Sequence, residues 1–256
     1  MTRYAVPPGA ATSVFVVVLG LLPGGCGDDR PPAPAADEAL SDPVGAQVEA
    51  ANDPLAQARE GLEDPDLSRR VATALALTDR QDLPASDRAE LLLSAMGREI
   101  AEPSPGPPGH GTYLTDTERL RHVYTRALGT LVATAPETLR TVAAEADGEL
   151  RARAVLALGY GGRTEVVPEL RDLLRTSAVG RVRTDAAFLL GELGAGDAVP
   201  DLREALADPY VVPVEGLDGT VRELHPVRDQ AFGALLALGV EVEHLGAGEY
   251  RVVGGR

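Results

Sequence analysis

Apolar residues recur every three to four positions through most of the chain after residue 54, which is the spacing of an amphipathic α-helix. The pattern also repeats over a longer distance. When the sequence is shifted by 32 residues, Leu150 to Leu174 matches Val182 to Leu206, with Ala, Leu, Gly, Pro and Arg in the same places. Each unit indicates a helix, a Gly-containing turn and a second helix, and such a unit buries its apolar stripe only against a neighbour. The pattern therefore predicts a stack of helix pairs.

The predicted fold is all-α, an α-solenoid of about five stacked helix pairs. We expect the folded domain over residues 54–256, with a short first helix from Pro54 to Leu62. The predicted repeats cover about 64–100, 115–146, 147–178, 180–207 and 227–256. Leu190 is expected in the core that neighbouring repeats share.

The first repeat shows how the helices are assigned. The apolar residues on one face of its first helix are Leu67, Val71, Ala74 and Leu75. Its second helix is expected from Ser86 to about Ile100, with Ser86 or Asp87 as the N-cap.

Two insertions interrupt the repeats. Residues 101–113 are too rich in Pro and Gly for a helix or a central strand, so they predict a loop. Such a loop often carries function, although an insertion without a function fits equally well. In the second insertion, 209–226, Asp218-Gly219 between β-branched flanks predicts a β-hairpin. After Gly239, two short alternating stretches predict a second β-hairpin that caps the array.

The N-terminus has the features of an export signal. Residues 1–25 contain a single charge, Arg3, and the apolar run from Val14 to Leu22, which is too short for a permanent membrane span. Followed by Gly24-Gly25-Cys26, this segment resembles a bacterial lipoprotein signal, and the resemblance implies a lipid on Cys26. The alternative is a secreted protein that is cleaved nearby and leaves Cys26 as an idle thiol.

Residues 26–53 are rich in Pro, Ala and acids without an apolar period, so we expect a disordered tether. Together with the signal, this tether predicts a lipid-anchored protein of the bacterial cell envelope with its folded domain outside the cytoplasm. Gly27 favours the outer membrane over the inner one, by resemblance to lipoproteins.

Charge and motifs limit the function classes. The 256 residues include 39 acids against 24 arginines and no lysine, a net charge of -15, which disfavours nucleic acid and favours basic or neutral partners. The single cysteine excludes a disulfide framework and a cysteine-based zinc cluster. Hydrolase, metalloprotease, phosphate-loop and EF-hand motifs are absent from the sequence, so we expect no catalytic residues, no metal and no cofactor. The histidines, expected on the surface or in loops, are His110, His122, His225 and His244.

Arginine and tyrosine supply the candidate binding residues. An arginine recurs at one place per repeat: Arg69 or Arg70, Arg121, Arg151, Arg183 and Arg228. These arginines either form an anion-binding row or bond to neighbouring helix ends and to acids such as Asp147 and Asp208. Tyrosine and arginine are favoured at interface hot spots. The candidate partner-binding residues are Tyr113, Tyr160, Tyr210, Arg151 and Arg183.

The repeat units resemble HEAT repeats, specifically the short bacterial phycobilisome-lyase type. The resemblance is carried by Val182-Arg183, Ala186 and Leu190-Gly191, and by the matching residues of the third and fifth repeats. The resemblance implies an α-solenoid that binds a protein or peptide. A few members of this repeat family attach or isomerise bilin chromophores. We therefore expect a monomeric, non-enzymatic interaction scaffold. The alternatives are a chromophore-lyase-like enzyme or accessory subunit, and a self-stacking structural element.

Overall fold

The computed structural model describes residues 53–102, 116–215 and 219–253. The predictions for the export signal, Cys26 and the tether therefore lie outside the described residues, as do those for His110, Tyr113 and nearly all of the 101–113 loop. Of the helices within the described ranges, none has the length and hydropathy needed to cross a membrane.

Helices dominate the described residues. They are α1 (Pro54–Glu63), α2 (Leu67–Asp79), α3 (Ala85–Ala101), α4 (Asp116–Leu131), α5 (Pro136–Glu145), α6 (Gly148–Tyr160), α7 (Val167–Thr176), α8 (Gly180–Glu192), α9 (Val199–Ala205) and α10 (Pro226–Ala237). Short 3₁₀ turns at Thr164–Val166 and Gly196–Ala198 lead into α7 and α9. The prediction of paired helices is confirmed.

The helices form two rows. We call α2, α4, α6, α8 and α10 row A, because each of them packs on the next along the array. Row B consists of α1, α3, α5, α7 and α9, and its members pack mainly against row A. This is the solenoid that the repeats predict, since each pair buries its apolar stripe against the next pair.

Acidic caps and prolines determine where several helices begin. The Asp53 and Asp66 carboxylates accept hydrogen bonds from the backbone N–H groups of Leu55 and Ser68, which caps α1 and α2. Prolines stand in the first turns of α5, α7, α9 and α10, where no N–H bond is lost. The prediction for α3 was wrong in one respect: Pro84 is its N-cap and makes no side-chain bond.

Alanine and leucine fill the core between the rows. Leu190 is fully buried, as expected, and so are Ala74 and Leu77 of α2. Leu75, which was expected in the core, is 52% exposed. One residue turns a helix by about 100°, so a face that buries both Ala74 and Leu77 directs Leu75 toward solvent.

Both predicted β-hairpins are present. Strands β1 (Val212–Glu215) and β2 (Val221–Leu224) pair antiparallel, with Val212 opposite Leu224. Strands β3 (Val242–Gly246) and β4 (Glu249–Val252) form the second antiparallel pair, which contacts α10 where a second helix would otherwise lie. The Tyr250 ring stacks on Phe232 with 4.8 Å between ring centroids, which fixes this hairpin on α10.

Candidate functional site

The repeated arginines bond within the chain. Arg183 donates through Nε and Nη2 to the two carboxylate oxygens of Asp208, at 2.7 and 2.9 Å, and through Nη1 to the Ser177 carbonyl at 2.7 Å. The hydrogen bonds to Asp208 raise the pKa of Arg183 above its usual value. Arg228 donates to the Asp208 carbonyl at 2.7 Å, so Asp208 joins the fourth repeat to the fifth. The interpretation of these residues as links between repeats is confirmed for both arginines.

Two more members of this arginine series behave in the same way. Arg121 donates to Glu149 at 2.9 Å and to the Glu99 carbonyl at 2.8 Å. Arg151 is exposed, and its Nε donates to the Ala143 carbonyl at 3.2 Å rather than to the Asp147 carboxylate. Arg183 and Arg151, both candidate partner-binding residues, thus have internal partners.

The two described candidate tyrosines have different surroundings. Tyr210 packs its ring over Gly180, where an added Cβ would lie 2.3 Å from the ring atoms. Its backbone N–H donates to the Asp208 carboxylate at 2.8 Å, so Tyr210 belongs to the link between repeats. Tyr160, at the end of α6, instead lines a cleft on row A.

This cleft is the candidate site. It has a volume of about 200 Å³ and lies between side chains of four consecutive row A helices. The lining residues are His122 and Arg126 of α4, Tyr160 of α6, Arg181, Thr184, Asp185 and Phe188 of α8, and Gln230 of α10. We call the surface of row A around these residues the cleft face.

One wall of the cleft combines a cation with aromatic rings. The Arg126 guanidinium carbon lies 4.5 Å from the Tyr160 ring centroid, a cation–π contact. Next to this contact, the centroids of the Tyr160 and Phe188 rings lie 6.2 Å apart. Burial is the main cause that raises the pKa of Tyr160, and the Asp185 charge adds to it, so the phenol stays protonated at neutral pH. This wall therefore offers apolar surface, a hydroxyl group and a positive charge.

Asp185 is the carboxylate of the cleft, and its side chain is only 3% exposed. Its two oxygens are shared between neighbours: Oδ1 lies 3.2 Å from Arg181 Nε, and Oδ2 lies 3.2 Å from His122 Nδ1. His122 was expected on the surface or in a loop, but it is half-buried beside Asp185. A buried carboxylate is tolerated when charged and polar donors surround it, as they do here.

A second ion group lies next to Asp185. Arg153 of α6 is fully buried and donates through Nε and Nη2 to Glu149 at 3.1 and 2.9 Å. Its Nη1 lies 3.9 Å from Asp185 Oδ2, too far for a hydrogen bond, and has no hydrogen-bond partner among the described residues. Glu149 also accepts the bond from Arg121.

The charges that line the cleft do not balance. The lining contains two guanidinium groups, those of Arg126 and Arg181, and one carboxylate, that of Asp185. Arg126 is exposed at the surface. On a chain with a net charge of -15, the cleft is thus a locally positive site.

The repeat alignment contains a signal for this site that sequence analysis missed. Asp185 follows Arg153 by 32 residues, and Gln230 follows Asp185 by 45, the same offsets that align the repeats. One position in the row A helix is therefore polar in three successive repeats, although the next residue is the buried Ala154, Ala186 or Ala231. Stacking places these polar side chains in adjacent helices on one face.

Comparison with known proteins shows that part of the chain is similar to HEAT repeats. The family model described as HEAT repeats matches residues 136–214, which include α5 to α9 and five of the cleft residues: Tyr160, Arg181, Thr184, Asp185 and Phe188. A search of the curated proteins found no match. HEAT repeats generally mediate protein–protein interaction.

Proposed function

We propose that this chain is a non-enzymatic interaction scaffold that binds a protein or peptide partner on the cleft face. The observation that carries the proposal is the cleft itself, to which α4, α6, α8 and α10 all contribute side chains. A partner in this position contacts several repeats at once, which is how solenoids use their extended surfaces.

The chemistry of the cleft supports this proposal. Arg126 and Tyr160 belong to the residue types that dominate interface hot spots, and Phe188 extends the apolar surface beside them. The residues that we propose for partner binding are Arg126, Tyr160, Arg181, Phe188 and Gln230. Arg183, Arg151 and Tyr210 have a supporting role in this proposal, because their bonds fix one repeat on the next.

A rigid array favours binding at this face. The link at Asp208 and the Arg121–Glu149 pair hold neighbouring helices in register before a partner arrives. Side chains that are already positioned lose less conformational entropy on binding. We therefore expect the cleft to bind with little rearrangement of the helices.

Affinity purification after cross-linking in the source cells tests this proposal. Arg126→Glu reverses an exposed charge at the cleft edge, and Arg203→Glu does the same on α9 in row B as the matched control. We expect one dominant partner to be recovered with the wild type and with Arg203→Glu, and lost with Arg126→Glu at an unchanged melting temperature. Equal recovery with both variants, or no partner with the wild type, would contradict the proposal.

We also propose that the scaffold is tethered to the bacterial envelope through a lipid on Cys26, with the outer membrane as the favoured site. This part is supported by the sequence: an apolar run followed by Gly24-Gly25-Cys26 and an acidic, Pro-rich stretch. Cys26→Ser should move the full chain from the membrane fraction to the soluble fraction, whereas Asp28→Ser should leave it membrane-bound. If the Cys26→Ser protein stays in the membrane fraction, lipidation at Cys26 is wrong.

A further inference from the structure

We propose that the cleft binds the C-terminal carboxylate of the partner, with the last side chain of the partner packed against Tyr160 and Phe188. This inference rests on the proposed function, because it names the part of the partner that the cleft face recognises. It depends on three features of the cleft: its charge, its apolar wall and its size.

The charge of the cleft favours an anionic group. Arg126 is exposed and, within the residues that the structure describes, forms no ion pair with a carboxylate. Asp185, the carboxylate in the lining, is already engaged by Arg181 and His122. A planar carboxylate fits a guanidinium group through two parallel N–H···O bonds.

The same surroundings disfavour a polyanion. Asp185 would lie close to the bound group and repel a doubly charged phosphate more strongly than a singly charged carboxylate. The net charge of -15 also opposes nucleic acid and other highly charged chains. A single carboxylate therefore suits the cleft better than phosphate.

The apolar wall and the size of the cleft favour a chain end over an Asp or Glu side chain. A C-terminal residue presents a carboxylate and a side chain from the same Cα, so it can contact the arginines and the Tyr160–Phe188 wall together. An acidic side chain would engage the arginines and leave the apolar wall uncovered. The volume of about 200 Å³ suits a single residue. At the edge of the cleft, the Gln230 amide has a donor and an acceptor for the preceding peptide bond.

Three synthetic peptides distinguish these sources of the carboxylate. The first is acetyl-Gly-Ser-Gly-Phe with a free C-terminus, the second is the same peptide as its C-terminal amide, and the third is amidated acetyl-Phe-Gly-Glu-Gly, with its carboxylate in an internal glutamate. Binding to the full chain is measured by NMR titration of the peptide signals. We expect the free acid to bind about tenfold more tightly than either amide, equivalent to about 1.4 kcal/mol. We also expect its affinity to fall as salt is added.

Variants connect the binding to the cleft. Arg126→Gln and Phe188→Ala should each weaken binding of the free acid about tenfold, whereas Arg203→Gln should leave it unchanged. Equal binding of acid and amide, equal binding of the internal-glutamate peptide, or no binding of the free acid would each overturn the inference. If these peptides fail while Arg126→Glu still loses the cellular partner, the inference alone is wrong. If the partner is also retained by Arg126→Glu, the proposed function is wrong as well.

Discussion

Arg183 and Asp208 form a two-point ion pair that joins the start of α8 to the segment after α9, with N···O distances of 2.7 and 2.9 Å. Both side chains are largely buried, at 13% and 10% exposure. Asp208 also accepts the Tyr210 backbone N–H and, through its carbonyl, the Arg228 guanidinium. One aspartate thus connects the fourth repeat, the first hairpin and α10.

Arg183→Lys tests the geometry of this link. Lysine keeps the charge but cannot form two parallel bonds to one carboxylate, so we expect the free energy of unfolding to fall by about 1–2 kcal/mol. The matched control is Arg151→Lys, at the equivalent place one repeat earlier, where the exposed arginine makes a single 3.2 Å bond; its change should stay below about 0.5 kcal/mol. Urea unfolding measures the free energy of unfolding of both variants. Equal losses would contradict the two-point bond between Arg183 and Asp208.

Leu190→Asp tests the shared core. Leu190 is fully buried in α8 within the apolar core, so a carboxylate there should lower the free energy of unfolding by several kcal/mol. Leu236→Asp on α10 is the control, because Leu236 is 46% exposed, and it should cost less than about 1 kcal/mol. The melting temperatures of the two variants measure these losses of stability. An unchanged melting temperature for Leu190→Asp would show that the repeat alignment is wrong.

Gly191→Ala tests the close approach of α8 to α10. A Cβ on Gly191 would lie 2.7 Å from Ala234 Cα and 2.8 Å from its Cβ, so the two helices would have to separate. We expect a loss of about 1–3 kcal/mol in the free energy of unfolding. Gly233→Ala, in the exposed middle of α10, meets nothing within 4 Å and should stabilise the protein by up to about 1 kcal/mol through helix propensity. In urea unfolding, we expect Gly191→Ala to lower the free energy of unfolding and Gly233→Ala to raise it. A stabilising Gly191→Ala would contradict this packing.

Tyr124 makes the fold sensitive to alkali. Burial raises the pKa of its phenol from 10.0 to about 12, and the side chain is only 1% exposed. The unfolded chain loses this proton near pH 10 and the folded chain near pH 12, so the stabilisation is complete below pH 10 and is lost as the pH rises toward 12. The loss amounts to about 2–3 kcal/mol.

Tyr124→Phe removes this proton and serves as the test. Between pH 10 and 12, the free energy of unfolding measured in urea should fall more steeply for the wild type than for the variant. Below pH 10, the difference between the two proteins should be constant. Parallel pH profiles over the whole range would contradict a buried, protonated phenol.

The fold was predictable from the sequence because apolar spacing and the 32-residue match determine helices and their stacking without detailed contacts. The exposed Leu75 shows the limit of this reasoning, since adjacent residues can both fit a helical stripe and only the neighbouring helices decide which one is buried. The cap of α3 shows the same limit, because serine or aspartate near a helix start does not ensure a capping bond.

The candidate site was less predictable than the fold. Tyr160 was selected for its residue type, and it lines the cleft. The charges beside it come from three helices, and nothing in the spacing of His122 shows that it approaches Asp185. Comparing equivalent positions of successive repeats would have identified Arg153, Asp185 and Gln230, because a polar residue recurs there beside a buried alanine.

Site-specific photo-cross-linking tests the central claim, that a partner binds the cleft face, most directly. The photoreactive amino acid benzoylphenylalanine would replace Thr130, one turn from Arg126 on α4, or Gln230 on α10, and in control proteins exposed Thr141 on α5 or Arg203 on α9, both in row B. We predict that the same partner is captured in cells from positions 130 and 230 and not from 141 or 203. Capture from the row B positions alone would contradict binding at the cleft face.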